Sequence, residues 1–133
     1  MTHRYIGTKE IVAWPAEKDG QPGYGVKYAD GYTSWSPKEA FEEAYRTSEP
    51  GLPQALTFGD AVHYLRQGKK VSRSGWNGKG LWLELQVPDA HSKMTLPYIF
   101  MSYPPDSQNT PGARVPWLAS QTDALANDWA VLA

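Results

Sequence analysis

A proline- and glycine-containing segment near the middle of the chain limits how the chain can fold. Ser48 to Gln54 read Ser-Glu-Pro-Gly-Leu-Pro-Gln, and neither a helix nor a sheet interior tolerates two prolines and a glycine this close together. We therefore predict a linker over residues 50–55, between an N-terminal module of residues 1–49 and a second domain of residues 56–133. In a chain of 133 residues, the core can only be modest.

The N-terminal module is predicted to be β-rich, with one helix. Tyr5–Ala13 and Gly23–Tyr28 are rich in β-branched and aromatic residues, which favour the strands of a hairpin or meander. Asp-Gly pairs at positions 19–20 and 30–31 predict turns. A short helix should follow, and its predicted N-cap, first residue and reciprocal capping partner are Ser36, Pro37 and Glu39.

The second domain is predicted to begin with an amphipathic helix. Thr57 suits the N-cap, Asp60 completes a capping box, and the helix should end at Gly68. Its apolar stripe has the spacing i, i+3, i+4, i+7 and consists of Phe58, Ala61, Val62 and Leu65.

The rest of this domain is predicted to be mainly sheet. Strands are expected over residues 70–73, 81–87, 97–103 and 129–132. Ser120 and Asp123 form a second capping box, which should open a very short helix over residues 124–126. The predicted fold class is thus α+β: an antiparallel sheet with one main helix and a short C-terminal helix, preceded by the β-rich module.

Composition excludes several classes of protein. The 13 basic and 14 acidic residues form no long run of either sign, so we expect no binding to duplex nucleic acid. The absence of cysteine excludes thiolate chemistry and fits a reducing compartment. Because no apolar stretch approaches membrane-spanning length and the N-terminus has no apolar signal region, we expect a soluble cytoplasmic protein.

Catalytic signatures are weak, and we predict neither a catalytic residue nor a metal site or cofactor. His3, His63 and His91 lack the spacing of metal ligands. The serines occur without a G-x-S-x-G elbow, and residues 75–80 match neither the P-loop nor the dinucleotide-binding glycine pattern.

The glycine-rich segment 74–80 is a candidate binding loop. Trp76 is suited to stacking on a base, Asn77 to reading polar edges, and Arg73 and Lys79 to meeting phosphates. The alternative is a tight hairpin turn whose tryptophan packs on the sheet, and the residues alone favour that alternative.

The segment 120–123, Ser-Gln-Thr-Asp, presents the same choice. Ser120 and Asp123 satisfy the requirements of a helix start. With Gln121 and Thr122 they also form a dense hydrogen-bonding surface suited to ribose hydroxyls or an adenine edge. Composition alone slightly favours capping.

Taken together, the motifs of the second domain resemble a phage family. The matching segments, in order, are Thr57–Ala61, Gly68–Val71, Gly75–Gly80, Trp117–Asp123 and Leu125–Trp129. They resemble the Thoeris anti-defence sponges of the second type, over roughly residues 56 to 133. The resemblance implies a protein of the host bacterial cytoplasm that captures a cyclic ADP-ribose-type signalling nucleotide without cleaving it. It also implies a homotetramer with pockets at subunit interfaces, and some relatives take up cyclic oligonucleotides at separate sites.

The resemblance also implies a set of pocket residues. Trp76 would form an aromatic wall and Asn77 a polar contact, beside the hydrogen-bonding shelf of residues 120–123. Secondary candidates are Arg73, Lys79, Trp117, Asn127 and Asp128.

Two features depart from the family pattern, and three other functions stay open. The proline-containing loop at residues 103–112 is expected to alter the pocket rim, and the N-terminal extension has a pattern seen in other phage proteins. A virion or assembly component, whose aromatic residues form protein interfaces, is the rival function. A sponge for cyclic oligonucleotides and a hydrolase of the cyclic ADP-ribose-type nucleotides are the other two.

Overall fold

The computed structural model describes residues 1–108 and 110–133, which contain three helices and eight strands. The described elements form two compact units, residues 1–45 and 46–133. Both contain an antiparallel sheet and at least one helix, so the predicted α+β class is confirmed. Asn109, in the long loop predicted before the last strands, lies outside the described residues.

The first unit is a three-stranded antiparallel meander followed by a helix. Its strands, in spatial as well as chain order, are β1 (Val12–Pro15), β2 (Gly23–Lys27) and β3 (Thr33–Pro37). Helix α1 (Lys38–Ala44) stacks Phe41 on Tyr24 of β2, with ring centroids 4.1 Å apart. The predicted meander is therefore confirmed.

Two boundaries predicted in this unit are wrong. Residues 5–11 carry no strand, and β1 begins only at Val12. Ser36 does not cap the helix: it pairs with Tyr24 inside the sheet, and Pro37 is the N-cap, without a side-chain capping bond. The local capping signal was outweighed by strand pairing, because the ladder with β2 satisfies the backbone through position 37.

The second unit packs one helix on a five-stranded antiparallel sheet. Its elements in chain order are α2 (Phe58–Arg66), β4 (Val71–Arg73), β5 (Trp82–Gln86), β6 (Tyr98–Ser102), β7 (Arg114–Pro116), α3 (Gln121–Leu125) and β8 (Trp129–Val131). The strand order is β7-β6-β5-β4-β8, so the last strand lies beside β4.

The core of this unit lies between α2 and one face of the sheet. Val71 pairs with Leu83 on one side and with Val131 on the other, and all three are at most 2% exposed. They pack with Leu65 of α2 and with Trp129, which is fully buried. Alternate positions along β5 and β8, namely Leu83 and Leu85, and Trp129 and Val131, therefore face the core, as strand geometry requires.

Both predicted capping boxes in this unit are confirmed. The Thr57 side chain accepts from the Asp60 amide, and Asp60 accepts in return from the Thr57 amide. Ser120 and Asp123 make the same reciprocal pair, but the helix starts at Gln121, three residues earlier than predicted. Strand β7 was not predicted from the sequence.

The end of the predicted linker is attached to the sheet of the second unit. The Gln54 amide donates to the Val131 carbonyl oxygen, and its oxygen accepts from the Val131 amide, both at 2.9 Å. Leu56 pairs with Trp129 through two backbone hydrogen bonds and is buried. These contacts cover the outer edge of β8 beyond β4, where backbone groups would otherwise be unpaired.

Candidate functional site

The two segments singled out in the sequence meet at one end of the second unit's sheet. Arg73, the last residue of β4, pairs with Trp129, the first residue of β8. The loop 74–80 leaves β4 at this point, and α3 with the residues that follow it leads into β8. Strand pairing therefore brings the glycine-rich loop beside the segment 120–128.

Arg73 lies between two carboxylates at the centre of this region. Its Nη1 donates to Asp123 Oδ1 at 2.7 Å, and its Nε donates to Asp128 Oδ1 at 2.8 Å. The side chains of Arg73, Asp123 and Asp128 are 13%, 14% and 29% exposed, so water only partly screens the charges. These charge-assisted bonds tie β4 to both α3 and the start of β8.

Both oxygens of Asp123 are engaged within the protein. Oδ1 also accepts from Trp76 Nε1 at 3.1 Å, while Oδ2 accepts from the Ser120 hydroxyl at 2.9 Å. Burial opposes ionisation, but the hydrogen bonds from Trp76, Arg73 and Ser120 hold the pKa of Asp123 below its usual value. Asp123 is therefore both a helix cap and an anionic partner for Arg73 at neutral pH.

Asp128 is similarly engaged. The hydrogen bond from Arg73, against opposing burial and with help from the Gly75 amide, lowers the pKa of Asp128. Because the pKa values of both carboxylates are lowered and both are paired with Arg73, each is a weak base at neutral pH.

Trp76 belongs partly to the core. Its ring lies edge-on to Trp129 at 5.5 Å between centroids and tilted against Trp117 at 6.5 Å. Trp76 and Trp117 are half-buried, whereas Trp129 is fully buried. Packing beside the sheet, the alternative role of Trp76, thus explains the buried part of its ring. The rest of the ring is exposed.

Five of the predicted site residues extend into solvent around this cluster. They are Asn77, Lys79, Gln121, Thr122 and Asn127. Within residues 1–108 and 110–133, their side chains make no hydrogen bond or ion pair. Ser120 is also exposed, but its hydroxyl is engaged by Asp123. The predicted residues therefore divide into a bonded inner group and an unbonded outer group.

Two exposed leucines next to the cluster were not singled out in the sequence. Leu118 is 91% exposed and Leu125 is 79% exposed, on either side of the Ser120–Asp123 capping box. No helical hydrophobic pattern marks them in the sequence, because Leu118 precedes α3 and α3 has only five residues. The Ser120–Asp123 segment is therefore bordered by exposed apolar side chains as well as by polar ones.

The described part of the chain offers no cluster of three or more His, Asp or Glu side chains that could hold a metal ion. Nor does any helix described have both the length and the apolar character to cross a membrane.

The fold and the site define a small α+β domain in which one arginine joins a glycine-rich loop to an aromatic and carboxylate cluster. The chain belongs to the family described as the Thoeris anti-defense 2-like domain, whose sequence profile matches residues 56–132. The predicted family resemblance is thereby confirmed.

A curated relative supports the same assignment. The protein named Thoeris anti-defense 2 from Bacillus phage SP01 is 38% identical to this chain over 85 residues. The match covers 58% of this chain and 94% of the relative. The matched fraction is consistent with the second unit carrying the family's fold.

Proposed function

We propose that the protein is a phage anti-defence protein that binds and sequesters a cyclic ADP-ribose-type nucleotide and so blocks Thoeris immunity in the host cytoplasm. The observation that carries the proposal is the hydrogen bond between Trp76 Nε1 and Asp123 Oδ1, at 3.1 Å. It joins the two family motifs, placing an aromatic ring beside exposed polar side chains. A stacking surface next to hydrogen-bonding groups suits an adenine nucleotide.

The charges at the site favour binding by the outer group. Arg73 is already paired with Asp123 and Asp128, so phosphate contact falls to Lys79 and to exposed backbone amides. Asn77, Gln121 and Thr122 supply donors and acceptors for ribose or base edges.

Binding without turnover is part of the proposal. The carboxylates are committed to Arg73 and held anionic, and their lowered pKa values make them poor proton donors at neutral pH. We also propose a homotetramer. The exposure of Leu118 (91%) and Leu125 (79%) leaves apolar side chains at the edge of the site for a contact between copies.

A capture experiment tests this function. The protein is incubated with a panel of cyclic ADP-ribose isomers and cyclic oligonucleotides, freed of unbound ligand by gel filtration, and then denatured. We expect an intact cyclic ADP-ribose isomer to be released. Recovery of no nucleotide, or of a cleaved product, contradicts sequestration, and selective release of a cyclic oligonucleotide redirects the proposal to that ligand.

Replacing Trp76 with alanine is expected to weaken capture by about 1–3 kcal/mol, or roughly 5- to 150-fold in Kd, because a stacked base loses its ring partner. Trp76→Phe should give an intermediate loss, since it keeps an aromatic ring for stacking but removes the indole N–H that donates to Asp123. The matched control is Trp14→Ala, which removes a 44% exposed tryptophan from the first unit. Isothermal titration measures all three, and an unchanged Kd in Trp76→Ala removes this residue from the site.

The rival function, a virion or assembly component, has one observation in its favour. Tyr5 and Tyr32 of the first unit are 89% and 64% exposed, and tyrosine is enriched at protein–protein interfaces. Detection of the chain in purified phage particles, with no nucleotide-induced rise in Tm, would favour that function.

A further inference from the structure

Asp128 reaches the backbone of the glycine-rich loop. Its Oδ2 accepts from the Gly75 amide at 2.7 Å and lies 3.5 Å from the Ser74 hydroxyl. Its Oδ1 accepts from Arg73 Nε at 2.8 Å. Both oxygens of Asp128 therefore already accept hydrogen bonds from the protein, one from the loop backbone and one from Arg73.

The glycine at position 75 fits this contact. A Cβ at Gly75 would lie 2.5 Å from Asp128 Oδ2 and 3.1 Å from Arg73 Nη2. The first distance is far below van der Waals contact, so a larger residue must displace the carboxylate. The close approach of Asp128, rather than a left-handed backbone conformation, accounts for glycine here.

The bonds continue from Asp128 to the aromatic ring of the loop. Arg73 carries them to Asp123, and Asp123 in turn accepts from Trp76 Nε1. The loop is therefore fixed at two points, its backbone at Gly75 and its ring at Trp76. Charge-assisted bonds in a partly dry environment are among the stronger polar contacts available to a loop.

We propose that Asp128 is a positioning residue: it holds the loop 74–80 in its binding conformation before the ligand arrives and makes no ligand contact itself. This inference rests on the proposed function and deepens it. Fixing the loop in advance lowers the entropic cost of binding, and it leaves recognition to the outer residues Asn77, Lys79, Gln121 and Thr122.

Hydrogen–deuterium exchange on the full-length Asp128→Asn variant tests the loop directly, without ligand. Asparagine has nearly the same shape, but its single acceptor oxygen cannot serve both Gly75 and Arg73. We expect exchange in peptides covering residues 74–80 to accelerate by about ten- to a hundredfold, the range set by hydrogen bonds to charged groups. Peptides from α2 and β5 should change little. The control is Asp19→Asn, a loss of the same charge at a turn residue with φ 51°, which asparagine also adopts.

A second variant, Gly75→Ala, keeps every charge but pushes the carboxylate away from the loop amide. It should accelerate exchange in the same peptides. In both variants, the Kd for the cyclic ADP-ribose isomer captured by the native protein should rise by a similar factor.

The exchange readout separates this inference from the proposed function. Local acceleration in both variants supports positioning even if the native protein captures no nucleotide. Unchanged exchange over residues 74–80, or an even increase across all elements, overturns it. A Kd that rises in Asp128→Asn while loop exchange stays native also overturns it, because Asp128 would then contact the ligand itself.

Discussion

Replacing Trp129 with alanine is expected to lower the free energy of unfolding of the second unit by about 3–5 kcal/mol, the range for removing a large aromatic side chain from a core. Trp129 is 0% exposed, and its ring lies 5.3 Å from Phe58 and 5.5 Å from Trp76 between centroids. Its Nε1 also donates to the Asp123 carbonyl oxygen at 2.9 Å. The substitution thus leaves a cavity beneath the candidate site.

Urea unfolding followed by near-ultraviolet circular dichroism measures this loss. The control is Trp14→Ala in the first unit: Trp14 is 44% exposed and packs on Gly25, so we expect a smaller loss for it, about 1–2 kcal/mol. Equal losses in the two variants would show that Trp129 does not support the core as its burial indicates.

The features predicted best from sequence are those that depend on residues only a few positions apart. Thr57 with Asp60, and Ser120 with Asp123, are three positions apart, so one turn of helix brings each pair together. The type and approximate position of both helices followed. Ser36 shows the limit of such signals, because a distant strand, β2, decides its conformation.

The ion pairs of the site could not be predicted in the same way. Arg73 and Asp128 are 55 positions apart, and only the pairing of β4 with β8 brings them together. From the sequence, each read as a separate ligand contact. Strand β7 was missed for a similar reason: its three residues are all exposed, so no burial pattern marks them.

The family motifs therefore combine residues that are hydrogen-bonded within the protein with residues that are exposed and unbonded. Asp123 is a helix cap, a counter-ion and an acceptor for Trp76, whereas the neighbouring Gln121 and Thr122 are exposed and unbonded in the described structure. A motif shared with relatives does not by itself distinguish residues that touch a ligand from residues that hold the site. We propose that their bonding state makes this distinction: the bonded residues hold the site, and the exposed, unbonded residues meet the ligand.

Replacing Arg73 with methionine is expected to lower the free energy of unfolding by about 2–4 kcal/mol, slightly less than for a fully buried pair, because Asp123 and Asp128 lose their common cation. The local net charge falls from −1 to −2. Capture of the proposed nucleotide ligand should fall as well, since Arg73 no longer links Asp123, the partner of Trp76, to Asp128, the partner of the Gly75 amide. Arg73→Lys should give an intermediate loss, because an ammonium cannot match the guanidinium fork between two carboxylates.

The pH dependence identifies the cause of that loss. In the native protein the pKa values of both carboxylates are lowered, so their stabilising contribution is present above the unfolded pKa of about 3.9 and is lost as the pH falls through the folded values. Without Arg73, burial and mutual repulsion should raise both pKa values, and protonation should then relieve the destabilisation. The stability gap between native and Arg73→Met protein should therefore narrow between neutral pH and about pH 4.

Arg46→Met provides the matched control, because Arg46 donates to Asp60 but is 41% exposed, and such pairs contribute about 0–1 kcal/mol. Urea unfolding of both variants at a series of pH values makes the comparison. If the difference in unfolding free energy between native and Arg73→Met protein stays constant with pH, the two unpaired carboxylates are not responsible for the destabilisation. Lost packing of the arginine stem would then be its cause.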